Sequence, residues 1–162
     1  MDVVTDEGDL RRFLQGPYVR ILRSVGLVCD SQAAAQDAVH EAVARAWERR
    51  ARIEHFDRWV LAVALNLARS RWRKLRREWP LMHRDLADVD DSTATVEWLM
   101  VLRGLPRRQR EVAVLHYVFD LEISAIAEIV RTSEGAVKNA LFHARRSLAA
   151  ALDPAAAEET TK

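Results

Sequence analysis

The sequence predicts an all-α protein made of two small helical domains joined by a flexible acidic linker. Three observations carry that reading. Ala, Leu and Arg dominate, while five Gly and four Pro are too few for a turn-rich β protein. Apolar residues recur at steps of three and four through each long segment. Residues 81–96 lack any such stripe and hold Asp85, Asp88, Asp90 and Asp91. At 162 residues the chain has room for one ordinary domain or two small ones. The expected division is a first domain over 1–80, a linker over 81–96, a second domain over 97–152 and a disordered tail over 153–162.

The first helical segment spans roughly Asp9 to Val28, with Gly16-Pro17 bending or dividing it. Cys29-Asp30-Ser31 is a loop in which Asp30 or Ser31 caps the next helix. From Gln32 to Arg50, Ala35, Ala38, Val39, Ala42, Val43, Ala46 and Trp47 form one apolar stripe, and the small alanines allow close helix approach. The opposite side carries Asp37, His40, Glu41, Arg45 and Glu48. Two carboxylates and a histidine could begin a metal or acid/base site, but nothing nearby completes one; a solvated or partner-docking face fits better.

Arg49 to Asp57 breaks the period and reads as a loop. Its arginines, with Ile53, His55 and Phe56, would suit unstacked bases; equally, Phe56 could anchor the loop on the core. A long helix follows from Asp57 or Arg58, with Leu61, Leu65, Ala68, Trp72, Leu75 and Trp79 as its buried seam. Between Arg69 and Arg77 lie six cations in nine residues. Arg69, Arg73, Arg76 and Arg77 share a side, so they repel one another unless an anion lies alongside; a phosphate-contacting ridge is the favoured reading.

Pro80 ends that helix, and the second domain begins near Val96. Leu99, Leu102 and Leu105 lead to Pro106, which restarts a helix at Arg107. Ile123 to Val130 and Glu134 to Leu148 then read as two helices joined by Arg131-Thr132-Ser133, with Ser133 as N-cap. Val137, Leu141, Ala144 and Leu148 make the buried stripe of the second helix, and Lys138, Asn139, Phe142, His143 and Arg146 lie on its far side. That is the build of a DNA-reading helix in a helix-turn-helix, although periodicity alone also describes an ordinary helical hairpin.

Charge and composition narrow the function. The net charge of +1 argues nothing for nucleic acid, but its distribution does: 1–80 carries +4, 81–96 carries −3, 97–152 carries +2 and the last ten residues −2. Two basic blocks separated by an acidic strip permit two DNA contacts, and are also compatible with plain solvated surface. The lone Cys29 excludes an internal disulfide and a cysteine-pair zinc site. The acidic start lacks the blocks of a signal peptide, and no apolar run nears the roughly 20 residues that span a bilayer. The expectation is a soluble, cytoplasmic protein with no membrane partner. No nucleophile, phosphate loop or metal quartet is present, so no catalytic residue, metal ligand or cofactor is expected.

Four motifs, in order, carry a resemblance. Ala35-Gln36-Asp37-Ala38-Val39-His40-Glu41-Ala42-Val43 with Ala46-Trp47 resembles the AEDLVQEtF..aW pattern in the second conserved region of extracytoplasmic-function sigma factors. Trp59 and Asn66 with the arginine cluster resemble the remainder of that region. Leu105-Pro106-Arg107-Arg108-Gln109-Arg110-Glu111-Val112 is similar to the LP..qReV opening of the fourth region. Ile126-Ala127-Glu128, Ser133, Gly135, Val137-Lys138, Leu141 and Ala144-Arg145 follow its helix-turn-helix pattern.

The resemblance implies a bacterial transcription initiation factor that gives RNA polymerase its promoter specificity, with a region 2 bundle and a region 4 helix-turn-helix. It implies that Asp37, His40, Glu41 and Arg45 dock on the polymerase core, at the largest-subunit clamp, with further contact at the flap. Arg52, Phe56, Asn66, Arg69, Arg73, Lys74, Arg76 and Arg77 would serve the minus-ten element, one base being flipped from the non-template strand. Thr132, Ser133, Glu134, Lys138, Asn139, Phe142, His143 and Arg146 would serve the minus-thirty-five element in the major groove. An anti-sigma factor is the implied regulator. The alternative is a helix-turn-helix regulator that never engages polymerase. Departures from the pattern include His40 for glutamine, Arg131 where glycine is usual, and Ala136 and Ala140 for threonine and arginine; they bear on promoter sequence.

Overall fold

Each of the two units is built round a helix whose small or apolar stripe is fully enclosed. The computed structural model describes residues 7–49, 53–78 and 93–153, side chains at 75, 76 and 93–97 excepted. Among the described residues are eight helices and no strand. The chain separates into two compact units, Met1–Asp88 and Val89–Lys162. Most of the expected linker, together with Trp79, Pro80 and the tail from 154, lies outside the described residues.

In the first unit, α1 (Glu7–Gln15) and α2 (Pro17–Cys29) divide at Gly16, because Pro17 lacks an amide proton and suits only the first turn of a new helix. Asp30 then takes a left-handed conformation (φ 56°) and ends α2. Ser31 caps α3 (Gln32–Glu48), its hydroxyl accepting from the Ala34 amide at 3.2 Å. Cys29 is helical and buried at this corner, its thiol 3.3 Å from the Ser31 carbonyl. The last described helix of the unit, α4 (Phe56–Glu78), starts one residue before the expected Asp57.

α3 is the centre of this unit and packs on both α2 and α4. Ala35, Ala38, Val39, Ala42 and Ala46 have no exposed surface. Phe13, Ile21, Val25 and Val28 close over them from α1 and α2, and Val60, Leu61, Ala64 and Leu65 from α4. Val43 and Trp47, expected in the same stripe, are half-buried at its edge.

The second unit opens with α5 (Thr93–Gly104), so residues 93–96, expected in the linker, are helical. Their Thr-Ala-Thr composition reads as polar linker, yet a first helical turn needs no apolar residue. α6 (Arg107–Tyr117) follows Pro106 as expected. Arg110 is buried there and donates to the carbonyls of Arg103 at 2.9 Å and Leu105 at 3.1 Å. Charge-assisted bonds thus satisfy carbonyls at and just beyond the end of α5, which no helix bond can reach. The apolar period would have placed Arg110 inward, since it stands one turn before Val114.

α7 (Ile123–Val130) and α8 (Glu134–Leu152) form the helix-turn-helix. Val137, Leu141, Ala144 and Leu148 are all buried, joined by Ala140. In the turn, the Thr132 amide bonds the Ala127 carbonyl at 3.0 Å, and the Arg131 amide bonds that of Glu128 at 3.3 Å. This closure holds Arg131 left-handed (φ 56°, ψ 56°), a conformation natural to glycine. Ser133 then caps α8, accepting from the Ala136 amide at 3.1 Å.

Two opposite changes in one turn test this local account. Arg131→Gly should stabilise the second unit by up to about 1 kcal/mol through relief of the left-handed strain. Ser133→Ala should destabilise it by about 1 kcal/mol through loss of the cap. Urea unfolding followed by helical circular dichroism reads both; a loss of stability on Arg131→Gly contradicts the strain.

Candidate nucleic-acid interface

The alanine stripe turns the opposite side of α3 outward. Asp37, His40 and Arg45 are exposed there and Glu41 is half-buried. His40 Nε2 and the Tyr18 hydroxyl share a hydrogen bond of 2.8 Å, and the two rings lie parallel, 2° apart in plane with centroids at 6.1 Å. Glu41 pairs with Arg45, one turn along its own helix, and with Arg71 from α4. The expected docking set is therefore one contiguous face, tied to α2 through His40 and to α4 through Glu41. Neither tie was readable in the sequence, because each joins side chains 22 or 30 residues apart.

Most of the described cations of the α4 cluster are exposed. Arg73, Lys74 and Arg77 are exposed, and Asn66 and Arg69 are half-buried. Arg69, Arg73 and Arg77 recur by four along one flank. The stretch from Arg58 to Arg77 itself contains no acidic residue. The side chain of Arg76 and the whole of Arg52 lie outside the described residues. Arg71, counted with the cluster in the sequence, instead faces α3.

Phe56 resolves toward the core. Its half-buried ring meets Phe13 edge-on, with centroids 5.2 Å apart and planes at 80°, and Phe13 in turn meets Tyr18 at 6.0 Å. The ring pins the start of α4, which bears directly on its expected role as a base contact. Beside it a cleft of about 620 Å³ is lined by Arg12, Phe13, His55, Phe56, Asp57 and Arg58, among others. Partial burial raises the Asp57 carboxyl above its ordinary value, and the Arg20 charge opposes the shift.

In the second unit, Ser133, Glu134, Lys138, Asn139, Phe142, His143 and Arg146 are exposed and Thr132 is half-buried. Phe142 keeps 55% of its surface in water. The Arg146 guanidinium stands 5.8 Å from its ring centre, and His143 meets it edge-on at 5.4 Å. A Lys, an Asn and a braced aromatic on one open helix face can donate to base edges and touch a thymine methyl. Arg108, from α6, donates to the Val130 carbonyl at 3.4 Å and so steadies the turn that aims this helix. Among the described residues no group of His, Cys, Asp and Glu could hold a metal ion. No described helix is long and apolar enough to cross a membrane.

Comparison with known proteins follows the same division. Residues 12–78 match the family described as Sigma-70 region 2, and residues 95–148 match Sigma-70, region 4. A sequence from Xanthomonas campestris pv. campestris described as "Probable RNA polymerase sigma factor RfaY" is 28% identical over 137 residues. That alignment covers 72% of this chain but 33% of the relative, so the chain spans about a third of the relative's length. Among solved structures, the sigma factor RpoE in complex with the anti-sigma factor NepR, from Bartonella quintana, matches with a TM-score of 0.75. It is 20% identical, and the match covers 89% of this chain and 96% of that one, a likeness of fold.

The raised Asp57 carboxyl gives a pH dependence with a definite sign. The folded chain holds this proton more tightly than the unfolded chain does, so protonation favours the fold. That contribution is complete below the unfolded value near ~4 and is lost as pH rises through the higher folded value. Asp57→Asn, always neutral, should equal the parent in acid and exceed it slightly at neutral pH. The gain stays small because Asp57 is only partly buried and water screens its charge. Urea midpoints of both proteins between about pH 4 and pH 7 read the difference.

Proposed function

We propose that this chain, which belongs to the sigma-70 family through its regions 2 and 4, directs RNA polymerase core to a particular set of promoters. The observation that carries the reading is the ordered pair of region matches, over residues 12–78 and 95–148. The motif resemblance favours the extracytoplasmic-function group. Sigma factors are transcription regulators rather than enzymes.

The division of labour follows from the chemistry of each face. Asp37, His40, Glu41 and Arg45 offer core polymerase a polar, mixed-charge docking face. Arg69, Arg73, Lys74, Arg76 and Arg77, with Arg52, supply cations to the backbone at the minus-ten element, and Asn66 supplies an amide. Phe56 serves this site by fixing the helix start rather than by offering a free stacking face. Lys138, Asn139, Phe142, His143 and Arg146, behind the Thr132-Ser133-Glu134 entrance to α8, read the minus-thirty-five element in the major groove.

Opening DNA costs about 1.4 kcal/mol per stacked step, and extruding a base costs a few kcal/mol more. A small basic unit offsets that only when the duplex is already held in register, and core polymerase together with the second unit provides the register. An anti-sigma factor is the fitting regulator. Leu14, Val19 and Met100, exposed at 49%, 47% and 65%, offer it apolar surface. A helix-turn-helix regulator that never meets polymerase would leave the whole region 2 unit without a role.

Isolated chain should bind promoter DNA weakly and its complex with core polymerase tightly; equal affinity with and without core contradicts the proposal. Charge reversal at Asp37 and Glu41 together should abolish capture of core polymerase. On DNA selected by the complex, Asn139→Ala should cost about 1–3 kcal/mol and relax one base position, measured by competition binding.

A further inference from the structure

The basic cluster of α4 contains two populations of arginine. Arg73 and Arg77 are exposed and lie about 200–240° round the helix from Arg71. Arg71 points the other way, to Glu41 on α3, and that carboxylate also receives Arg45. Arg71 therefore has a protein anion already engaged, two residues from Arg73, which is exposed. The same carboxylate belongs to the face assigned to core polymerase.

We infer that Arg71 is a positioning residue: through Glu41 it fixes the rotation of the far half of α4 against α3, so that the core-docked face and the phosphate-contacting ridge keep one geometry. Arg71 contacts no phosphate. Leu61, Leu65 and Ala68, at steps of four and three, are buried, whereas Trp72, the next residue of the seam, is only half-buried. The ion pair lies beside Trp72, where the seam is no longer fully enclosed. The guanidinium suits the task because its fork is planar and always charged. This rests on the sigma-factor reading, since it assigns a role within the same two faces.

The test compares R71A, R71K and R73A in complex with saturating core polymerase on one promoter fragment. Affinity and open-complex formation, by permanganate footprinting, are followed across a salt series. A phosphate contact contributes roughly 0.9 to the slope of log affinity against log salt. R73A should lower the slope by about that amount. R71A should leave the slope unchanged while reducing open-complex formation several-fold, and R71K, which keeps the charge, should recover part of the loss. In an E41Q background R71A should add nothing further, because its partner is already gone.

A slope reduced by R71A as much as by R73A overturns the inference, as does full additivity with E41Q or an R71A complex indistinguishable from the parent. Failure of the parent chain to bind promoter DNA in a core-dependent way is a different result. It would remove the sigma-factor reading itself, and this inference with it.

Discussion

The close approach of α3 to its neighbours is the constraint on which the first unit depends. Four alanines at 35, 38, 42 and 46 have no exposed surface, so helix surfaces meet with almost no side-chain thickness between them. A larger residue at any of these positions would push α2 or α4 outward. The polar contacts at the rim are short-reach consequences of that approach. Tyr18 meets His40, and Arg71 meets Glu41, only because the backbones carrying them are held near. The apolar stripe thereby sets the geometry of the polar face, although no residue of the stripe belongs to it.

The second unit solves a similar problem with charge. Three of its described helices are short, α7 having only eight residues, and each end leaves backbone groups without helical partners. Side chains from α6 reach those ends: Arg110 serves carbonyls at the end of α5, and Arg108 serves the last carbonyl of α7. One helix so links the entry of the unit to the turn before α8. The exposed reading face of α8 is aimed by contacts that lie behind it.

Much of this was legible in the sequence because local rules decide it. Steps of three and four identified the enclosed sides of α3 and α8 and of α4 as far as Ala68, and Ser133 and Pro17 marked helix starts through their own hydrogen-bonding chemistry. What escaped were contacts made across the chain. The period says that Glu41 faces away from the alanines, but not that an arginine thirty residues later reaches it. Phe56 stood between two readings until Phe13 was found beside it. Arg110 was overlooked for another reason: charge argued for the surface, while position argued for the interior. The start of α5 was hidden because threonine reads as linker when no stripe yet surrounds it.

The chain has a single thiol, and the fold encloses it at the corner between α2 and α3, 5% exposed and close to the Gly26 and Ser31 carbonyls. Reagents in solution meet Cys29 only when that corner opens. Its labelling rate is consequently a built-in gauge of how often the first unit breathes, with no cysteine in the second unit to confuse the reading. Whatever grips the outer faces of α2 and α3 would slow that opening, and so announce its binding from a place it never touches.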